Sequence, residues 1–127
     1  MKYNFINPPR EFPVGTGKKV IIKDCGRIRL EHDEMVTFTT ESGAEYDLAR
    51  KDWGFYATPS LNGRLESFDL RAVLVKSRVT GRFFIFLVEN GKEDLFRKYC
   101  DIENQFVIAW LDSDEALEKL ENRMCES

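Results

Sequence analysis

The chain has one histidine, three cysteines with no CxxC pair, and no apolar run near the ~20 residues that cross a bilayer. Each shortage excludes a class of protein. His32 alone cannot build the multi-histidine metal sites of cupin-like barrels, and in a charged turn it is expected to be solvated. Cys25, Cys100 and Cys125 are odd in number and far apart, which argues against a disulfide framework and against structural zinc and suits a reducing cytoplasm. No motif calls for a cofactor or a metal. The charge is nearly balanced, 19 basic against 22 acidic residues for a net −3, so no global field is available to hold a nucleic acid backbone. The first fifteen residues lack the apolar core of an export signal, so no membrane partner is expected. Internal repeats and low-complexity tracts are also missing.

What is present is material for one core. A length of 127 residues fits a single domain, and 43% hydrophobic residues with ten phenylalanines promise an interior rich in large rings. Met1 to Lys18 reads as an irregular arm, because Pro8, Pro9, Pro13, Gly15 and Gly17 disfavour helix and interrupt a ladder. Within it, Gly15-Thr16-Gly17-Lys18 is superficially like a phosphate-binding loop, but the full GxxxxGK[ST] pattern is missing. Residues 19–127 read as the domain proper. Val20 to Ile22 starts a strand, Asp24-Cys25-Gly26 supplies a turn, and Arg27 to Glu31 alternates polar with apolar residues. Val36 and Phe38, then Tyr46 and Leu48, continue the alternation around a Ser42-Gly43 turn. Connections this short imply an antiparallel meander.

The second half has a different texture. Leu70 to Val75 and Phe83 to Val88 are nearly unbroken apolar runs joined by a Thr80-Gly81 hairpin, and such runs imply strands covered on both faces. Leu95, Phe96, Tyr99 and Ile102 fall at helical spacing, and Phe106 to Leu111 is a further strand, giving a strand-helix-strand unit. Asp112 stands three residues before Glu115, the spacing of a capping box, with Ser113 as a rival cap. Ala116, Leu117, Leu120 and Met124 make one stripe of a C-terminal helix, opposite a solvated acidic face. The expected class is α+β: an antiparallel meander, a β-hairpin, a strand-helix-strand unit and the terminal helix.

The candidate site lies between these halves. Trp53, Phe55 and Tyr56 crowd around Gly54 and precede turn residues that carry hydrogen-bonding side chains. Asp52, Trp53, Tyr56, Ser60, Asn62 and Arg64 are the expected ligand- or partner-binding residues. Aromatic faces stack on sugars or bases while Asn, Asp and Arg fix hydroxyls or anions, which suits a polar small molecule. The same residues suit a protein interface. The competing reading makes Trp53, Phe55 and Tyr56 a buried strand and Pro59 to Gly63 a plain turn.

The segment Asp52 to Leu65, together with Leu70 to Lys76, resembles small bacterial proteins, without an assigned activity, from surface-polysaccharide (O-antigen or capsule) biosynthesis gene clusters. The resemblance covers about half the chain and brings no catalytic residues with it. It implies a cytoplasmic accessory to nucleotide-sugar or glycan assembly, with a polar metabolite or a biosynthetic protein as partner. Two alternatives stand beside it. One is a small lyase, isomerase or transferase acting on a sugar derivative, with Asp52 or Asp47 as base, Tyr56 as acid and Arg64 as anion clamp. The other is a homo-oligomerisation module that uses the aromatic loop or a sheet edge.

Overall fold

Strand-forming patterns occupy most of the chain, and the computed structural model, which describes residues 1–125, contains eight strands and three helices in that range. Residues 126 and 127 of the expected domain lie outside the described residues. In chain order these are β1 (Lys2–Val14), β2 (Val20–Arg29), β3 (Met35–Thr39), β4 (Glu45–Lys51), β5 (Gly54–Ala57), α1 (Arg64–Ser67), β6 (Leu70–Ser77), β7 (Phe83–Glu89), α2 (Glu93–Glu103), β8 (Gln105–Trp110) and α3 (Asp114–Cys125). They form three antiparallel sheets with strand orders β1-β2, β3-β4-β5 and β7-β6-β8. The expected α+β class and C-terminal helix are the observed ones. No helix among the described residues is long and apolar enough to cross a membrane.

The N-terminal segment departs from expectation. In place of an irregular arm over Met1 to Lys18, residues 2–14 form a strand paired with β2. The prolines are accommodated by one large bulge: Phe5 stands opposite Gly26 and Arg10 opposite Asp24, so Ile6, Asn7, Pro8 and Pro9 face only Cys25. The Asp24-Cys25-Gly26 segment, expected as a turn, is the other side of this bulge. Gly26 has φ 131°, its N–H donates to Asp24 Oδ1 at 3.1 Å, and a Cβ there would lie 2.2 Å from the Asn4 carbonyl oxygen.

Strand β6 carries the core on both of its faces. Val73 and Val75 pack with Val88, Phe86, Phe96 and Trp110 on the face covered by α2. On the other face, Leu70 and Ala72 meet Leu65 of α1 and Ala44, with Tyr46 and Leu111 packed alongside. The strand-helix-strand unit is realised with β6 inserted between its two strands, β7 and β8.

The same double cover fails for β7. Phe83 and Ile85 are more than half exposed, because the contacts on that face reach only the Leu70–Ala72 end and β7 lies at the sheet edge. The stripe of α2 is also rotated from the expected one: Leu95 is exposed, while Phe96, Cys100 and Glu103 turn inward.

Two polar junctions join these parts. Glu89 accepts from Ser42 Oγ at 2.5 Å and pairs with Lys92 Nζ at 2.8 Å, tying the β3–β4 turn to the β7–α2 turn. These partners, Lys92 first, lower its carboxyl pKa to about 2. Ser113, the rival cap, is the one used: its Oγ accepts the Ala116 N–H at 3.1 Å. Asp112 is committed instead to Arg71 at 2.6 Å, and Arg71 lies 4.0 Å over the Trp110 ring.

Leu65 has no exposed surface and seals the junction of α1, β6 and the meander, whereas Leu120 on α3 is 51% exposed. Leu65→Ala should cost about 3 kcal/mol through lost burial and a cavity, and Leu120→Ala about 0.5 kcal/mol or less. Urea unfolding of the two variants measures the difference.

Candidate functional site

The meander ends in a tight hairpin that projects its aromatic residues outward. Lys51 pairs with Gly54 across a two-residue loop, Asp52-Trp53, and the chain re-enters β5 through Gly54 at φ 145°. Trp53 is 68% exposed, Phe55 61% and Tyr56 51%. The reading of these rings as a buried strand is thereby excluded. Tyr56 lies opposite Ala49, which in turn lies opposite the half-exposed Met35, so an apolar strip crosses one face of the meander.

The base of this hairpin is braced. The Arg50 guanidinium donates to the Leu30 carbonyl at 2.9 Å, the Arg50 N–H donates to the Glu34 carbonyl and the Asp33 N–H to the Arg50 carbonyl, at 2.8 Å each. Lys51 Nζ pairs with Asp33, which His32 also approaches at 3.1 Å. The hydrogen bond from Lys51 is the main cause holding the Asp33 carboxyl below its ordinary pKa. His32 is exposed, as expected of a charged turn. Exposed rings on a braced turn are pre-ordered for contact, which lowers the entropy cost of binding.

The six residues expected to act together form two groups. Asp52, Trp53 and Tyr56 share the hairpin. Ser60, Asn62 and Arg64 lie in the turn into α1 and are engaged there. Ser60 Oγ accepts the Arg64 N–H at 2.9 Å, Asn62 Nδ2 donates to Asp114 at 2.6 Å, and Arg64 lies 5.3 Å from the Phe68 ring centroid. Among the described residues no hydrogen bond, ion pair or ring contact joins the two groups. Asp47 is buried and accepts from Thr37 Oγ1 at 2.6 Å. No group of three or more His, Cys, Asp or Glu residues that could hold a metal ion occurs among the described residues.

A second location stood out less in the sequence. The Gly15–Lys18 loop, which lacks the full phosphate-binding motif, does form a concave nest of backbone N–H groups, and its anion is the chain's own Glu103. The amides of Thr16, Gly17 and Lys18 donate to this carboxylate at 2.9, 2.7 and 3.0 Å. The Lys18 amide is the main cause of a Glu103 pKa lowered from its ordinary 4.5, helped by Gly17 and Thr16 and opposed by desolvation. A Cβ at Gly17 would fall 1.7 Å from the Ile102 carbonyl oxygen, so the loop docks against the C-terminal turn of α2 only through glycine. Beside this junction a cavity of about 410 Å³ opens between the β1–β2 hairpin and the β7-β6-β8 sheet. The available signal is the glycine pair flanking Thr16; no local pattern indicates that Glu103 folds onto it.

Comparison with protein-family models, curated proteins and solved structures finds no match to this chain.

Two measurements follow from this geometry. The Glu103 pKa is lower in the folded than in the unfolded chain, so the clamp's contribution is complete above about pH 4.5 and is lost as pH falls through the folded value. The amide resonances of Thr16, Gly17 and Lys18 should therefore titrate together below that pH, and Glu103→Gln should remove the titration. Acrylamide quenching should show one accessible tryptophan and one protected, and Trp53→Phe should remove the accessible component, because Trp110 lies packed against Phe96 under Arg71.

Proposed function

We propose that this chain is a binding module that docks a partner protein through the aromatic hairpin at Asp52, Trp53 and Tyr56, as an accessory to nucleotide-sugar or surface-polysaccharide assembly. The observation that carries this reading is the exposure of Trp53, Phe55 and Tyr56 on a braced two-residue turn. Trp and Tyr dominate the energetics of protein interfaces, whereas small molecules are bound in concavities. The cavities of about 410 and 350 Å³ are lined by no residue of the 51–64 segment.

Surface area supports the same reading. A folded monomer of 14.8 kDa is expected to expose about 7,000 Å², and this chain exposes 9566 Å². The surplus of roughly 2,600 Å² exceeds the ~800 Å² that one partner contributes to a standard interface. The resemblance of residues 52–65 and 70–76 to polysaccharide-cluster proteins favours a biosynthetic enzyme as that partner.

The test is titration of purified enzymes of nucleotide-sugar and glycan assembly from the same organism against the wild-type chain and against Trp53→Ala and Tyr56→Ala. An enzyme that binds the wild type should bind each variant at least about tenfold more weakly, with far-UV spectra unchanged. Undiminished binding by Trp53→Ala would move the interface elsewhere. If the chain instead self-associates and Trp53→Ala makes it monomeric, the partner is a second copy.

A further inference from the structure

From the cavity beside the Glu103 clamp, we infer that the chain also binds a small amphipathic acid: an apolar acyl or aryl body carrying an N–H donor and an anionic group. The cavity has a volume of about 410 Å³, within the range of ligand pockets and above what one or two waters need. Its walls come from two independent parts of the fold. Val14, Val20 and Ile22 line it from the β1–β2 hairpin, and Phe84, Tyr99 and Ile102 line it from β7 and α2. Each of the six is between 37% and 50% exposed, so apolar surfaces that could have closed on one another are left apart. The Glu103 clamp fixes the hairpin tip at this spacing, because the loop and α2 already meet at Gly17 and cannot approach further.

Polar groups in the wall define the rest of the ligand. Gln105 lines the cavity, and its Oε1 is buried with no hydrogen-bond partner, an acceptor lacking a donor. Glu103 offers no competing free carboxylate, since three amides already occupy it. Lys18 and Arg82 also line the cavity, and among the described residues neither makes an ion pair. An apolar body satisfies the walls, an N–H satisfies Gln105, and an anion satisfies the two cations.

N-decanoylglycine carries all three features and serves as the probe. N-decanoylsarcosine lacks the N–H, and the methyl ester of N-decanoylglycine lacks the anion. In two-dimensional amide NMR the glycine conjugate should give saturable shifts centred on Thr16, Ser77, Tyr99 and Gln105. The sarcosine conjugate and the ester should each bind about fivefold to tenfold more weakly. Gln105→Leu should abolish the preference for the N–H compound, Arg82→Gln should reduce the preference for the acid over the ester, and Val20→Trp should block the cavity. Well-dispersed spectra establish that each variant is folded, and if Val20→Trp is not, the Gln105→Leu and Arg82→Gln comparisons decide. No saturation below ~1 mM would overturn the proposal. Shifts spread equally over the exposed Phe83 and Ile85 face, or equal affinity for all three compounds, would overturn it as well. So would a homodimer in which a second copy protects the cavity residues and excludes the probe. None of these outcomes depends on Trp53, so the partner-docking reading is tested separately.

Discussion

One carboxylate, Glu103, holds the long β1–β2 hairpin to the rest of the molecule. Three consecutive amides converge on it, and the geometry requires glycines on both sides of Thr16. Gly15 has φ 107°, and a Cβ there would lie 2.1 Å from the Lys18 carbonyl oxygen, while Gly17 abuts the backbone of Ile102. Such a nest resembles the anion sites that proteins offer to phosphate, with the charge supplied from within the chain. The consequence for architecture is specific. Apart from this junction and the Met1 amino group on Glu34 at 2.7 Å, the hairpin carries few tertiary bonds, so the clamp fixes where its apolar face sits and therefore the width of the cavity beneath it.

The body is organised around β6 for a similar reason of economy. It is the central strand of its sheet, between β7 and β8, and its two faces are buried by different elements. Small residues at Ala72 and Ala44 let α1 and the meander approach one face, and the rings of Phe86, Phe96 and Trp110 fill the other. Neither cluster reaches the outer part of β7. That shortage of cover, together with the exposed faces of the hairpin and the meander, accounts for the surplus of accessible surface. Apolar surface left in water on this scale is unfavourable for an isolated chain and becomes favourable on association.

Local chemistry in the sequence was a good guide where the structure is local. The alternation in Val36 to Leu48, the Ser42-Gly43 and Thr80-Gly81 turns and the helical spacing over Lys92 to Ile102 all correspond to observed elements. Long-range partnership was less legible. The prolines at 8 and 9 argue against a strand when read alone, yet β2 supplies a bulge that takes them up. Ser113 caps α3 because Arg71, forty-one residues away from Asp112, claims that carboxylate. Glu103 reads as one more charge at the end of α2 until the loop 85 to 87 residues earlier folds onto it. Of the proposed site, the aromatic residues were identifiable, but their outward direction was not, because a strand pattern does not reveal which face lacks a covering layer.

The division of the candidate residues has a physical origin. Ser60, Asn62 and Arg64 lie at the turn into α1 and find partners there: Ser60 Oγ takes the orphan Arg64 N–H, Asn62 Nδ2 donates to the Asp114 carboxylate, and the Arg64 guanidinium lies against the Phe68 ring. Trp53 and Tyr56 are held away from any such layer by a hairpin whose base is fixed through Arg50 and Lys51. A turn of this kind cannot bury its rings by rearranging locally without breaking the Arg50–Leu30 and Lys51–Asp33 contacts. The rings therefore stay in solvent, and the rigidity that keeps them exposed is the property that would lower the entropy cost of the docking proposed above.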